Sequence, residues 1–157
     1  MITTTQANNI LKLFFAQATS ISGTGKCYLG LSSTTPTADG GNFTEPDPVT
    51  TGYKRAQINI LEATQYTNQM GTPANGSISN VEEITFPEAL VAYPEPITHF
   101  GIFGTQTVGE GTPLYVHALT APEPSEDGTY AEQPVTVEQN EVLLFRQGTL
   151  SLTFAQD

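Results

Sequence analysis

Short runs in which apolar and polar residues alternate, separated by turn-forming residues, constrain the fold of this sequence most. The clearest run closes the chain, where Leu150, Leu152 and Phe154 alternate with threonine and serine. Residues 27–31 and 53–61 follow the same period of two, which is the period of a strand with one buried face. The 14 glycines and 11 prolines supply turns between such runs. This pattern favours short antiparallel strands over a helical bundle.

Two further runs, residues 97–103 and 114–119, flank a glycine-containing turn. This order predicts an antiparallel hairpin with a long connection. Other short strands are predicted around Ile84, at 134–137 and at 142–145, and turns are predicted over 65–76. The predicted fold is mainly β: an antiparallel, jelly-roll-like β-sandwich with one N-terminal amphipathic α-helix, in a single domain over residues 1–157.

The amphipathic helix is predicted over residues 1–22. Apolar residues recur there at helical spacing and form one stripe, and Thr3 with Gln6 can form a capping box before it. Because such a stripe must be buried, we expect it to pack on the chain's own sheet or on a partner. The stripe consists of Ala7, Ile10, Leu11, Phe14, Phe15 and Ala18.

Two long polar loops are predicted, over residues 32–52 and 121–133. Loops of this length are uncommon in compact domains and are often functional, so 32–52 is a candidate contact arm. A solvated surface loop is an equally good interpretation. The acidic residues of the loops, Glu45 among them, lie beside proline, glycine or threonine, which is typical of a solvated acidic surface.

The charge balance restricts the partners. Sixteen acidic residues against five basic ones give a net charge of −11. Such a surface repels phosphate groups, so neither nucleic acid nor an anionic membrane is an expected partner. The first residues, MITTTQANN, lack the basic region of a signal peptide. No apolar run approaches the ~20 residues of a membrane span, and we therefore expect synthesis in a cytoplasm.

Few residues are candidates for catalysis. In a strand, His99 shares a face with Gly101 among apolar neighbours, where a histidine more often packs and hydrogen-bonds than catalyses. A cross-strand pair with His117 is a second interpretation. Cys27 lies on an apolar face, where a buried, inert thiol is the ordinary expectation. The sequence contains no metal-binding spacing, nucleophile elbow or phosphate-binding loop, so we expect no enzyme, metal or cofactor; a small hydrolase using Cys27 or His99 is the least favoured alternative.

A recognisable order of short segments extends over nearly the whole chain. After the helix come residues 28–36, 44–46, 52–55, 84–89, 97–103, 114–120 and 148–152. This order resembles a family of small virion proteins of tailed bacteriophages, of the tail-fibre, head-fibre or capsid-decoration type. The resemblance implies a virion protein without catalytic residues, made in the host cytoplasm and in contact with other phage structural proteins.

The leading hypothesis is therefore a non-enzymatic structural protein displayed on a phage capsid or tail, as a homo-oligomer or a multi-copy assembly. Its acidic surface would keep free subunits apart before assembly. The alternative is a host-receptor or carbohydrate-binding module of the tail, with exposed tyrosines such as Tyr66 and Tyr130 contacting glycans. The candidate assembly contacts are Ile10, Leu11, Phe14, Phe15, Phe43, Tyr53 and Arg55.

Overall fold

The computed structural model describes residues 26–37, 39–62, 65–68, 70–71, 73–120 and 131–153. These ranges contain nine strands and one helix of four residues. In chain order the elements are β1 Lys26–Ser32, α1 Pro48–Thr51, β2 Ala56–Glu62, β3 Gln65–Asn68, β4 Ser77–Ser79, β5 Ile84–Thr85, β6 His99–Phe103, β7 Tyr115–Ala118, β8 Leu144–Phe145 and β9 Ser151–Thr153. The prediction of a mainly β chain with antiparallel pairing is confirmed. The helix predicted over 1–22 lies outside the described residues.

The chain forms two compact units whose segments interleave along the sequence. Unit 1 comprises Met1–Cys27, Gln57–Ile84 and Leu144–Asp157, and unit 2 comprises Tyr28–Ala56 and Thr85–Leu143. The β-sandwich and the single domain stay predictions.

Three antiparallel strands form the centre of unit 2. β6 pairs with β1 on one side, with Gly30 opposite Gly101, and with β7 on the other, with Phe100 opposite His117. Every residue of β6 is buried. Both faces of this strand are therefore covered, as the apolar residues on both of its faces predict. The predicted hairpin of β6 and β7 is confirmed.

The directly opposed glycines of β1 and β6 leave room on one face of this sheet. A Cβ atom at Gly101 would lie 2.6 Å from Cε2 of Phe43, and one at Gly30 would lie 2.8 Å from Cε2 of Phe103. The rings of Phe43 and Phe103 meet edge to face, with their centroids 5.1 Å apart. Because neither glycine has a side chain, the 32–52 loop packs directly on the sheet.

The 32–52 loop folds back on itself. Thr37 N donates to the carbonyl oxygen of Gly41 at 2.8 Å. The loop ends in α1, which begins after Asp47, whose carboxylate caps it by accepting from Val49 N at 3.0 Å. This segment, predicted as a long polar loop, thus contains one helical turn, and its role as a contact arm stays a prediction.

Two further segments of unit 2, residues 86–97 and 133–143, run antiparallel to each other. Ile97 and Val135 exchange two backbone hydrogen bonds of 2.8 Å and form an isolated bridge. The strand predicted around Pro134 is reduced to this bridge, because proline has no N–H group to donate to a ladder.

The described part of unit 1 includes two antiparallel pairs of strands. β2 pairs with β3, with Ile60 opposite Thr67, and β4 pairs with β9, with Ile78 opposite Leu152. Ile78 and Leu152 are buried, which confirms the inward face predicted for the last strand. β3 lies where the sequence predicts turns, since its residues give no apolar alternation from which a strand could be recognised.

Candidate functional site

A buried ion pair connects the 32–52 loop to the residue that precedes β2. Nε and Nη2 of Arg55 donate to Oε1 and Oε2 of Glu45 at 2.8 and 2.7 Å. Only 1% of the Arg55 side chain and 4% of the Glu45 side chain are exposed. Two parallel charge-assisted hydrogen bonds fix both the distance and the orientation of the two groups.

The loop between β6 and β7 supplies the remaining partners of this pair. Nη1 of Arg55 donates to the carbonyl oxygens of Thr105 and Glu110 at 2.9 and 3.0 Å. The backbone N–H of Gly109 donates to Oε2 of Glu45 at 2.9 Å. Buried charges are tolerated when most of their hydrogen-bonding groups are paired in this way. The ion pair therefore holds the β6–β7 loop as well as the 32–52 loop.

Two aromatic rings contact the same pair. The hydroxyl of Tyr53 donates to Oε1 of Glu45 at 3.0 Å and accepts from Leu31 N at 2.8 Å. Burial, with a further contribution from the charge of Glu45, raises the pKa of Tyr53 well above its ordinary value, so the hydroxyl remains a donor. Cζ of Arg55 lies 3.5 Å from the ring centroid of Phe103, a cation–π contact.

An open pocket of about 410 Å³ lies between the 32–52 loop and the β6–β7 loop. Glycine backbone and small polar side chains form much of its walls, and aromatic rings and the ion pair also line it. Hydrogen bonds from the Thr37 hydroxyl and the Gly41 amide lower the pKa of Asp39 in one wall. The lining residues are Asp39, Gly40, Gly41, Asn42, Phe43, Glu45, Arg55, Phe103, Gly109, Gly111, Thr112 and Pro113.

A second feature of unit 2 is a run of three exposed apolar residues. Leu90 is 61% exposed and Val91 44%, and Ala92 after them is also exposed. Leu90 N donates to the carbonyl oxygen of Thr51 in α1 at 2.9 Å, and Val49 in the same helix is 86% exposed. We call Val49, Leu90, Val91 and Ala92 the apolar patch. Consecutive exposed apolar residues are uncommon outside interaction sites.

Acidic residues neighbour the apolar patch. Asp47 caps α1, and Glu88 lies two residues before Leu90. The carbonyl oxygen of Glu141 accepts a hydrogen bond of 2.9 Å from the N–H of Ala89, the residue before Leu90. These three acidic residues are exposed. Apart from the buried arginine of the ion pair, Lys54 is the only lysine or arginine in the sequence of unit 2. The patch therefore has an acidic border.

The structure brings together three of the predicted assembly contacts, although it places them inside unit 2. Tyr53 is 1% exposed and Arg55 3%, and Phe43 is half-buried. They organise the ion pair and the pocket, and their role in assembly stays a prediction. The four helical candidates lie outside the described residues: Ile10, Leu11, Phe14 and Phe15.

Glu45 differs from the sequence-based prediction. The sequence places it among solvated loop acids, but its side chain is buried against Arg55. Nothing local distinguishes it from Asp47, two residues later, which is exposed. The sequence signal that could have indicated its burial is the pairing of this acidic loop residue with a basic residue ten positions later, Arg55.

The two histidines lie on opposite faces of the sheet. His99 is opposite Ala118, whereas His117 is opposite Phe100. Because neighbouring residues of a strand alternate between faces, the cross-strand histidine pair is wrong. His99 is 8% exposed, its Nδ1 lies 2.9 Å from Oγ1 of Thr98, and burial lowers its pKa. This environment fits a structural histidine.

Cys27 lies fully buried in β1, and burial raises its pKa to about 11. The thiolate is the nucleophilic form, so this environment disfavours covalent catalysis. In the described ranges, no group of three His, Cys, Asp or Glu side chains is placed to hold a metal ion. No helix in the part of the chain that the structure describes is long and apolar enough to cross a membrane.

Family comparison agrees with the order of segments along the chain. The family model described as Podophage GP4 fiber I protein gp80 matches residues 1–153. None of the curated proteins matches the chain significantly. The match includes every segment on which the resemblance to phage virion proteins rests, and both units lie almost entirely within it. The chain belongs to the family of Podophage GP4 fiber I protein gp80, a family of fibre-type phage virion proteins.

Proposed function

We propose that this protein is a non-enzymatic structural component displayed on the capsid or tail surface of the phage particle. It is present in several copies and is held by contacts with other phage structural proteins. Membership of a fibre protein family supports a structural role in the virion. The observation that carries the proposed mode of attachment is the apolar patch of unit 2.

The chemistry of the patch favours a particular kind of partner. Leu90 and Val91 lose contact with water when a partner covers them, which favours association. The acidic border of the patch complements a surface with an apolar centre and a basic rim. If two copies of this chain docked through the patch, their acidic borders would lie together and repel each other. We therefore propose that the patch docks on a different phage protein.

The proposed scaffold is a jelly-roll-like β-sandwich, and the helix predicted over 1–22 provides a second contact in this proposal. In the described part of unit 2, the buried β1 and β6 and the ion pair of Arg55 and Glu45 support a rigid presentation of the surface. Rigid elements keep an interface preorganised and so reduce the entropy lost on docking.

A phage carrying Leu90→Ser with Val91→Ser tests the patch. We expect this variant to fold with an unchanged melting temperature, since both side chains are exposed, and to be depleted from purified particles. The matched control is Leu114→Ser with Val135→Ser, a leucine and a valine of unit 2 that are exposed outside the patch. Quantitative mass spectrometry of gradient-purified particles gives the copy number per particle of each variant and of the unmodified chain. Equal copy numbers for both variants and the unmodified chain would overturn this docking mode.

Immunogold labelling of intact particles tests display itself. Gold over the heads would assign the protein to the capsid surface, and gold at the tail would assign it to the tail. Unlabelled particles beside abundant soluble antigen would contradict display on the virion.

The alternative function is a host-receptor or carbohydrate-binding module of the tail. The tyrosines predicted for this role do not support it here, because Tyr130 lies outside the described residues and only the backbone of Tyr66, in β3, is described. The observation that favours the alternative is the pocket between the 32–52 loop and the β6–β7 loop.

A further inference from the structure

We infer that the pocket between the 32–52 loop and the β6–β7 loop binds one neutral sugar unit of a surface glycan. The pocket and the apolar patch involve different residues, so this binding does not depend on the docking proposed above. The volume of about 410 Å³ lies within the range of roughly 300–1,000 Å³ that small-molecule pockets have.

Arg55 provides a hydrogen-bond donor for such a ligand. A guanidinium group carries five N–H bonds, of which Nε, both hydrogens of Nη1 and one of Nη2 are used within the protein. None of the described residues accepts the second hydrogen of Nη2. Buried donors are normally paired, and this side chain is 1% exposed while lining the pocket. A ligand oxygen would complete its hydrogen bonding.

The charges at the pocket favour a neutral ligand. Glu45 already neutralises the guanidinium of Arg55 through two hydrogen bonds. Asp39, in the wall formed by the 32–52 loop, adds a negative charge. Its Oδ1 accepts hydrogen bonds within the loop from Thr37 and Gly41, which leaves Oδ2 for a hydroxyl donor. An anionic group would be repelled by Asp39, whereas a sugar hydroxyl can donate to it.

The chemical composition of the lining suits a pyranose ring. Such a ring has an apolar C–H face and an edge of hydroxyl groups. The pocket combines the half-buried ring of Phe43 with polar walls of glycine backbone, Asn42 and Thr112. The Phe103 ring beneath them is 1% exposed and is covered by the guanidinium of Arg55. Most of the accessible lining is polar, which suits a ligand that carries many hydroxyl groups.

Titration of the isotope-labelled full chain, followed by NMR, tests this inference. The probes are the methyl glycosides of glucose, galactose, mannose, rhamnose and N-acetylglucosamine, with sialic acid as the anionic comparison. We expect at least one neutral probe to shift the amides of residues 39–42 and 109–112 and the Nε–H signal of Arg55 in a saturable, millimolar titration. Sialic acid should bind more weakly.

Thr112→Tyr places a ring in the pocket and is expected to weaken binding by about tenfold or more, which corresponds to losing about one good contact. Thr107→Tyr, on the same loop but outside the lining, is the matched control and should bind as the unmodified chain does. If Thr112→Tyr changes the NMR spectrum outside the pocket, the Asp39→Asn variant is used in its place. Asp39→Asn keeps Oδ1 as a hydrogen-bond acceptor and removes the negative charge that favours a neutral ligand.

Four results would overturn the inference. The first is the absence of any shift at the pocket with the five neutral probes, and the second is equal binding by the pocket variant and its control. The third is tighter binding of sialic acid than of every neutral probe. The fourth is self-association of the unmodified chain that Thr112→Tyr abolishes. The last result would show that a second copy of the chain, and not a sugar, occupies the pocket.

Discussion

Arg55 and Glu45 face each other side-on in unit 2, with Nε to Oε1 at 2.8 Å and Nη2 to Oε2 at 2.7 Å. The same guanidinium holds two carbonyl oxygens of the β6–β7 loop, and the same carboxylate accepts from Gly109 in that loop. Both walls of the pocket are therefore anchored to one ion pair. Whatever displaces either charge should loosen both loops.

Replacing Arg55 by methionine is expected to lower the free energy of unfolding by about 3–5 kcal/mol, because the carboxylate of Glu45 would stay buried without its counter-charge. Replacing both residues by methionine should cost less than replacing Arg55 alone, since no unpaired charge then remains. Urea unfolding of Arg55→Met, Glu45→Met and the double variant measures this coupling. Lys54→Met, at the exposed neighbour, is the control and should change stability by less than about 0.5 kcal/mol. Additive single effects would show that the two charges are not coupled.

Gly101→Ala is expected to destabilise the chain by about 1–3 kcal/mol, the usual cost of overpacking a core. The added methyl group would lie 2.6 Å from Cε2 of Phe43, so the ring would have to move away from Phe103. Thermal unfolding measures the loss. In a Phe43→Ala background the same substitution should cost less, because the two closest contacts of the added methyl group are then removed and, of the three closest, only Cε2 of Phe103, at 3.2 Å, remains. An equal cost in both backgrounds would exclude the ring contact as the cause.

The features that the sequence predicts best are those that depend on local alternation. β6 is buried on both faces because its apolar residues occur on both, and β9 has its inward face at Leu152. In contrast, the burial of Glu45 depends on Arg55 and on a loop more than fifty residues away, and no local pattern records such a contact. The exposure of Leu90 depends likewise on which surfaces other segments cover. The burial of Glu45 and the exposure of Leu90 thus follow from tertiary contacts alone.

Asn80 fixes the end of β4 in unit 1. Its Nδ2 donates to the carbonyl oxygens of Glu82 and Arg146 at 2.8 Å each, and its Oδ1 accepts from Leu150 N at 2.9 Å. Asn80→Ala should lower the free energy of unfolding by about 1–3 kcal/mol, because buried backbone groups lose their partners. Asn80→Asp should cost more, since a carboxylate would then face two carbonyl oxygens. Chemical unfolding measures both.

The control for Asn80 is Gln147→Ala, at an exposed position of the same unit. It should change stability by less than about 0.5 kcal/mol. Asn80→Asp that is as stable as the unmodified chain would contradict the assigned donor role of Nδ2.

His99 should make stability depend on pH just below neutrality. Burial lowers its pKa in the folded chain, while the pKa in the unfolded chain stays near the ordinary value of about 6.5. The unfolded state therefore binds the proton more readily, and stability falls as the pH drops from about 6.5 towards the lower folded pKa.

His99→Gln should reduce this fall in stability. The exposed His117→Gln is the matched control and should keep most of this fall, because it leaves His99 buried. Identical pH profiles for His99→Gln and the unmodified chain, from unfolding curves at several pH values, would contradict the assignment.

Cys27 should be inert towards thiol reagents in the folded protein. Its side chain is inaccessible to solvent, and its pKa is about 11. At pH 8 only roughly one thiol in a thousand would be ionised, and the thiolate is the reactive form. Ellman's reagent should therefore label the native chain only as fast as the chain unfolds, and it should label the chain fully in urea. The Cys27→Ser variant, which has no thiol, is the blank. Stoichiometric labelling of the native chain within the mixing time, at a rate unaffected by stabilising conditions, would show that the thiol is accessible. Cys27 would then again be a candidate nucleophile.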